Sequence, residues 1–407
     1  MPAILTVAAP EGRIRATVRL PRSKSVANRA LVAAALAGDM SVVKDAGEAE
    51  DTRLLHDLLR DRPSVLHCGL GGTTLRFALA WAAMQEGEER LVTGDKALLD
   101  RPHTPLVKAL IGLGAEVDGL ASGFHVKGRR LRGGGVAFDS PVSSQYLSAL
   151  MLVGPRMDEG LRIHWQGMQL SRPYVAMTAR VMRHFGADVA VGPERITVAP
   201  GPYAPRAFTV PRDWSAAAFW YQVVALAPDA EVLLTDLQDD ALQGDAAAAR
   251  LWQPYVSTTP TPQGMLLRSQ RGKEAPGMAI DLTDTPDLFQ PLALTHAGLG
   301  RAATLTGLHN LHLKESDRLV AVEAVLETLH TPAQRVGTDG LRTQGTRKPQ
   351  APGAHVFDPQ GDHRMAMALA PLALVAGPVR IQDPAVAGKS YPGFWDDLRA
   401  AGFRVEG

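Results

Sequence analysis

Cysteine is nearly absent from this chain of 407 residues: only Cys68 is present, so no internal disulfide can form and no cage of several thiolates can hold a metal. That usage suits a reducing compartment, and a cytoplasmic protein is expected. Excess charge is also lacking, since 43 Lys and Arg balance 42 Asp and Glu to give a formal charge of +1. A protein whose main partner is nucleic acid carries a basic excess, so that class is excluded and any anion site must come from local focusing. Long apolar runs are missing too. The Ala-rich stretches are cut by Arg, Gly, Pro or Gln within a few turns, too soon for a membrane span, and Arg13 and Arg15 precede no apolar signal core. The length exceeds one ordinary domain and is comfortable for two, each with a substantial core.

What the chain does have is a repeat. Short polar clusters open Ala/Leu-rich helical runs at Ser23-Lys24-Ser25, Gly72-Thr73-Thr74, Ser143-Ser144-Gln145, Asp213-Trp214-Ser215, Pro286-Asp287 and Asp362-His363-Arg364. With Lys24, Thr73, Ser144, Ser215, Asp287 and His363 as markers, the intervals are 49, 71, 71, 72 and 76 residues, four of them nearly equal. A helix N-terminus leaves backbone N–H groups free and carries partial positive charge, so six aimed at one place would bind anions. Two domains of three repeats each follow naturally.

A second pattern recurs between these helices. A helix ends in Gly-Ala or Gly-Thr, and two short β runs follow: Leu113 to Val117 with Phe124 to Val126, Phe185 to Val189 with Ile196 to Val198, and more weakly Arg335 to Thr338 with Leu341 to Thr343. The marker helices are apolar nearly all round, which suits enclosure within a domain, and Pro371 should kink the last. Partner helices at Asp51 to Arg60 and Glu315 to Leu329 are amphipathic. Arg132 to Gly135 and Arg347 to Gly353 read as surface turns or loops, and the domain crossings are expected near Leu20-Pro21 and Val210-Pro211.

Each cluster has an ordinary reading beside a chemical one. Ser23-Lys24-Ser25 is a helix start with a solvated Lys, yet Arg29 one turn on lets Lys24, Ser25 and Arg29 converge on one phosphate or carboxylate. Gly69-Leu70-Gly71-Gly72 is a flexible turn or a loop that admits a ligand to the backbone, and it lacks the Lys of a Walker loop. Ser143 and Asp287 sit where caps are favoured. In Asn310 to Arg318, Lys314 and Arg318 would share a helix face, where like charges oppose each other unless an anion lies between them. Arg364 near a helix N-terminus opposes the dipole and points to an anionic ligand. Cys68, in an apolar run, reads as a buried small residue.

In order and spacing the chain resembles the enolpyruvyl transferases over its whole length, in the branch that acts on shikimate 3-phosphate. The stretches that carry the resemblance are Ser23 to Arg29, Lys314-Glu315-Ser316-Asp317-Arg318, Asp362 to Met367 and Lys389-Ser390-Tyr391-Pro392. The resemblance implies an α/β fold of two similar domains, each of three βαβαββ repeats in an inside-out barrel, with the site in the interdomain cleft. One domain would cover 21–211 and the other 1–20 with 212–407. It implies transfer of the enolpyruvyl group of phosphoenolpyruvate to the 5-hydroxyl of shikimate 3-phosphate, with no cofactor or metal and a monomeric chain. The hydroxyl adds to C2 while C3 gains a proton, and the tetrahedral adduct then loses a proton and phosphate.

Carried over residue by residue, it places shikimate 3-phosphate against Lys24, Ser25, Arg29, Ser143, Ser144, Gln145, Ser171, Tyr174, Asp287, Asn310 and Lys314. Phosphoenolpyruvate would meet Lys24, Gly72, Arg101, Gln145, Arg318, Arg364 and Lys389. Asp287 is expected to accept the proton and Glu315 to donate one, with Lys24 the third catalytic group. The chain departs from the family at Leu70, commonly Asn, and at Pro211-Arg212, often Glu-Gly, before an unusual Trp214. The sister enzyme acting on UDP-N-acetylglucosamine is the alternative, but it carries a loop Cys that has no counterpart here. A non-catalytic phosphometabolite-binding protein would gain nothing from carboxylates at Asp287 and Glu315.

Overall fold

The computed structural model describes residues 3–139, 143–239, 242–270, 277–345 and 355–407. The Arg347 to Gly353 segment lies outside them. The chain forms two compact units, Arg22–Pro211 and Met1–Pro21 together with Arg212–Gly407.

Both units are built from one small sheet used repeatedly. In the sheet of Val65–His67, Glu89–Thr93, Gly123–Lys127 and Glu116–Leu120, the first two strands are parallel and the last two form a hairpin whose inner strand runs antiparallel to Glu89–Thr93. A parallel pair needs a crossover, and the marker helix Gly72–Ala82 supplies it. The same order recurs for Gly134–Phe138, Leu161–Trp165, Arg195–Val198 and Val189–Val191. Three more copies are built on Ala230–Thr235, Ala303–Thr306 and Val379–Gln382. The copy served by the Lys24–Ala37 helix is reduced to the pair Val43–Lys44 and Phe208–Thr209. Among the described residues it has no hairpin of its own, which accounts for a first interval about twenty residues shorter than the others.

The six marker helices are Lys24–Ala37, Gly72–Ala82, Ser144–Val153, Trp214–Leu226, Phe289–Gly298 and His363–Leu369. Within each unit its three pack on one another, so they have no solvent face and no need of a polar one. In Trp214–Leu226 every residue but Ser215 is buried. The last helix stops at Leu369 and passes into a 3-10 turn over Ala370–Leu372, as Pro371 requires.

Some expectations change. The amphipathic helix expected from Glu315 starts only at Arg318, because Asp317 accepts from the N–H groups of Leu319 and Val320 and sets the cap there. Lys314 and Arg318 therefore do not share a helix face. Asp287 does not cap its helix: it lies within a 3-10 turn, Pro286–Leu288, ahead of the helix proper. The expected surface turn at Arg132 to Gly135 is in part a strand, since Gly134 and Gly135 open Gly134–Phe138.

The crossings at 20–23 and 210–213 are tied by backbone bonds. Ser23 N donates to Pro211 O at 2.9 Å and Asp213 N to Pro21 O at 3.0 Å. Arg212, unusual by family pattern, is buried, with Nη1 on Leu20 O at 2.8 Å and Nη2 on Asp236 Oδ2 at 3.1 Å.

Candidate active site

In the unit Arg22–Pro211 the sequence-derived residues fall into two groups. Lys24, at the first position of its helix, pairs through Nζ with Asp51 Oδ2 at 2.8 Å. Arg29 does not turn to the same point. It is buried, donating to Thr178 Oγ1 at 2.6 Å, Ser148 Oγ at 3.0 Å and Ser25 O at 2.8 Å, with its guanidinium over the rings of Phe77 and Tyr174. Burial lowers its pKa to about 10, so it stays charged at neutral pH. Its visible role is to hold together the helices that carry Ser25, Ser144 and Tyr174.

Ser143 caps its helix by accepting from Gln145 N at 3.3 Å, which leaves Ser144 buried on the first turn and Gln145 partly exposed. Ser171 precedes Arg172–His184 in a left-handed conformation, φ 57° and ψ 42°, although it has a side chain. Its side chain makes no cap bond to the helix.

The second group surrounds Gly72. A Cβ there would lie 2.8 Å from Arg76 Nη1, 2.9 Å from Arg101 Nη1 and 3.6 Å from Gln145 Oε1. Two guanidiniums and an amide thus approach one point on the backbone of a helix N-terminus. Sequence reasoning missed Arg76, which donates to Gln145 Oε1, lies over the Tyr146 ring and reaches Pro102 O at 3.5 Å. Its signal was its place one turn beyond Gly72. Behind it, burial and then the charges of Arg76 and Arg101 push His103 down to about 4, so that ring is neutral and fixes the backbone through Leu98 O at 2.9 Å.

The unit containing Arg212–Gly407 gathers the remaining charges around two carboxylates. Asp287 Oδ1 takes Arg318 Nη1 at 2.8 Å and Lys314 Nζ at 3.4 Å, while Oδ2 takes Arg364 Nη2 at 3.0 Å. Glu315 Oε1 takes Lys389 Nζ at 3.0 Å and Oε2 takes Arg318 Nη2, also at 3.0 Å. Asp362, wholly buried, accepts from Arg318 Nε at 2.7 Å and caps its helix through Arg364 N at 2.8 Å. Burial opposes the charge on Arg318, but Asp362, Glu315 and Asp287 outweigh it and hold the guanidinium protonated. Burial lowers Lys314, and Asp287 offsets part of that shift. Asn310 stands immediately before the 3-10 turn Leu311–Leu313 that leads into Lys314, half-buried, with no cap bond from its side chain.

Asp51 and Asp362 were also missed, because their partners are 27 and 44 residues away in sequence. Cys68 is fully buried just past Val65–His67, and burial pushes its thiol far up, so it offers no acid or nucleophile.

The chain as a whole is similar to known proteins. The family model described as EPSP synthase (3-phosphoshikimate 1-carboxyvinyltransferase) matches residues 8–61 and 61–398. A 3-phosphoshikimate 1-carboxyvinyltransferase of Bacteroides fragilis is 37% identical over 97% of both chains. One from Methanosphaerula palustris is 34% identical over 94% of this chain and 96% of its own. In structure the chain is similar to EPSP synthase from Acinetobacter baumannii, with a TM-score of 0.79, 22% identity and full coverage of both chains. It is also similar to the enolpyruvyl transferase NikO from Streptomyces tendae, with a TM-score of 0.74 and 15% identity over 100% of this chain and 99% of that one.

Proposed function

The chain belongs to the EPSP synthase family, and we propose how its residues perform the reaction it catalyses: transfer of the enolpyruvyl group of phosphoenolpyruvate to the 5-hydroxyl of shikimate 3-phosphate, with release of phosphate. The observation that carries the assignment of roles is the cluster of Lys314, Arg318 and Arg364 on Asp287, with Lys389 and Arg318 on Glu315. These cations pair with carboxylates, the kind of anion that the substrates also carry. Phosphoenolpyruvate, bringing a carboxylate and a phosphate, takes over Arg318, Arg364 and Lys389, for which arginine forks are suited. Asp287 is then released to accept the proton of the attacking hydroxyl, while Glu315, once its cations turn to the substrate, takes up a proton from solvent and passes it to C3.

Gly72, Arg101 and Gln145 complete the phosphoenolpyruvate site in this reading, and Arg76 joins them. Lys24, Ser25, Ser143, Ser144, Ser171 and Tyr174 hold the phosphate and hydroxyls of shikimate 3-phosphate, with Asn310 and Lys314 from the other unit. Arg29 acts from beneath, holding the shape of that surface. One chain supplies every residue, so a monomer suffices. The helix starts contribute fixed positive potential to the tetrahedral adduct and its leaving phosphate.

Phosphate release from phosphoenolpyruvate tests the reading directly. It should require shikimate 3-phosphate and disappear on Asp287→Asn or Lys24→Met while the far-UV spectrum stays native. Equal release with UDP-N-acetylglucosamine would move the assignment to the sister reaction.

A further inference from the structure

Of the six helix starts, that of Trp214–Leu226 has no substrate contact in the proposal, yet it holds a buried acid. Asp245 lies in the 3-10 turn Gly244–Ala247 and is 3% exposed. Ser215 Oγ donates to its Oδ2, and its Oδ1 is buried with no hydrogen-bond partner among the described residues. Gln243 pins the same turn, accepting from Trp214 N at 3.1 Å and donating to Arg212 O at 2.7 Å. The Trp214 helix in turn packs on the Pro286–Leu288 turn, which carries Asp287, and on His363–Leu369, which carries Arg364. The charges whose fields act on Asp245 are Asp287, Arg364 and Asp213. The short helix Ala248–Leu251 beside it adds only Arg250, which is exposed.

Resting on Asp287 as the proton acceptor, we propose that Asp245 is a positioning residue for the reaction: a second, buried carboxylate beside Asp287 whose charge sets how tightly Asp287 holds a proton. Two like charges near one another each favour protonation of the other. A charged Asp245 therefore makes Asp287 a stronger base, and it also offsets part of the Arg364 charge that phosphoenolpyruvate uses. A hydrogen-bonded Asn would keep the packing and remove both effects. Burial, and then the charge of Asp287, push Asp245 up to about 6 against the opposing pull of Arg364 and Ser215.

The test compares the wild type with Asp245→Asn and Ser215→Ala across the pH range, reading kcat and KM for phosphoenolpyruvate with shikimate 3-phosphate saturating. Wild-type kcat should rise through a step near pH 6. Asp245→Asn should lose the step, match the wild type below it, and above it turn over about threefold slower or more with a lower KM. Ser215→Ala removes a donor that favours the charged acid, so its step should move to higher pH. Melting without substrate reads the titration independently of activity. Burial raises the acid in the folded chain above its unfolded value, so its contribution to stability is complete below about 4 and is lost as pH rises through about 6. Asp245→Asn should thus gain melting temperature relative to the wild type as pH rises from about 4 to about 6, and the gain should stay level at higher pH. A step that persists in Asp245→Asn, or a melting difference independent of pH, overturns the proposal. A wild-type chain with no transfer activity overturns the proposed function and this role together, while the melts still show whether Asp245 titrates.

Discussion

At the scale of single residues, Gly72 is the position where space decides function. Its backbone is not in the left-handed region, so alanine is allowed conformationally. The added methyl group would meet Arg76 Nη1 and Arg101 Nη1 at 2.8 and 2.9 Å, too close to stand, but both are ends of flexible side chains. The cost is therefore displacement of two cations and not a broken core. Gly72→Ala is expected to keep the wild-type melting temperature and raise KM for phosphoenolpyruvate by about tenfold, since small misplacements of binding groups are expensive at a reacting centre. Small anionic analogues of phosphoenolpyruvate should depend on the same space. Glyphosate should compete with phosphoenolpyruvate in the wild type and lose potency in Gly72→Ala. A wild type insensitive to millimolar glyphosate would sink that expectation and point to Leu70, where the family commonly has Asn.

At the scale of elements, helix starts were legible because their signals are local: a polar cluster, then an apolar run with no solvent face. Each of the six markers stands within two residues of an observed start. Pairing was not legible. The 49-residue interval made sense only once the sheets showed the first copy without a hairpin, and Asp245 reaches Ser215 from 30 residues away. Arg76 was hidden by its position inside a helix, where an arginine reads as an ordinary helix former. At Lys314 to Arg318 the pattern suggested a continuous helix, but Asp317 stops it by capping from inside the motif. That cap also fixes Arg318, the first residue of the helix and the cation shared by Asp287, Glu315 and Asp362. Asp317→Ala should lower stability by about 1 kcal/mol in urea melts. It should also raise KM for phosphoenolpyruvate, since Arg318 would then sit on a frayed turn. A loss of stability with KM unchanged would show that the three carboxylates alone position Arg318.

At the scale of the whole molecule, the charge is nearly balanced in total but not in place. Lys24, Arg76 and Arg101 lie in one unit, and Lys314, Arg318, Arg364 and Lys389 in the other. In the proposed reaction these two sets meet around one pair of substrates. Several of the cations are already paired: Lys24 with Asp51, Lys314, Arg318 and Arg364 with Asp287, and Lys389 with Glu315, so the residual repulsion is modest and screened beyond about 8 Å at physiological salt. Shikimate 3-phosphate and phosphoenolpyruvate together bring two phosphates and two carboxylates, more negative charge than either set can neutralise by itself. Their binding energy is best realised when both units contact both ligands, which favours a closed arrangement in the ternary complex and excludes water from the adduct. A ligand that engages one unit only gains little from closure, because population shifts follow differential affinity for the two states. Small-angle scattering should therefore show the radius of gyration falling when both substrates are present, with a smaller change for either alone. The contraction should be smaller in Arg101→Ala, which removes part of one unit's share of the phosphoenolpyruvate contacts and leaves the other unit's cations intact. Dimensions that stay the same with both substrates bound would mean that the units need not move to complete the site, and that the divided cations serve binding alone.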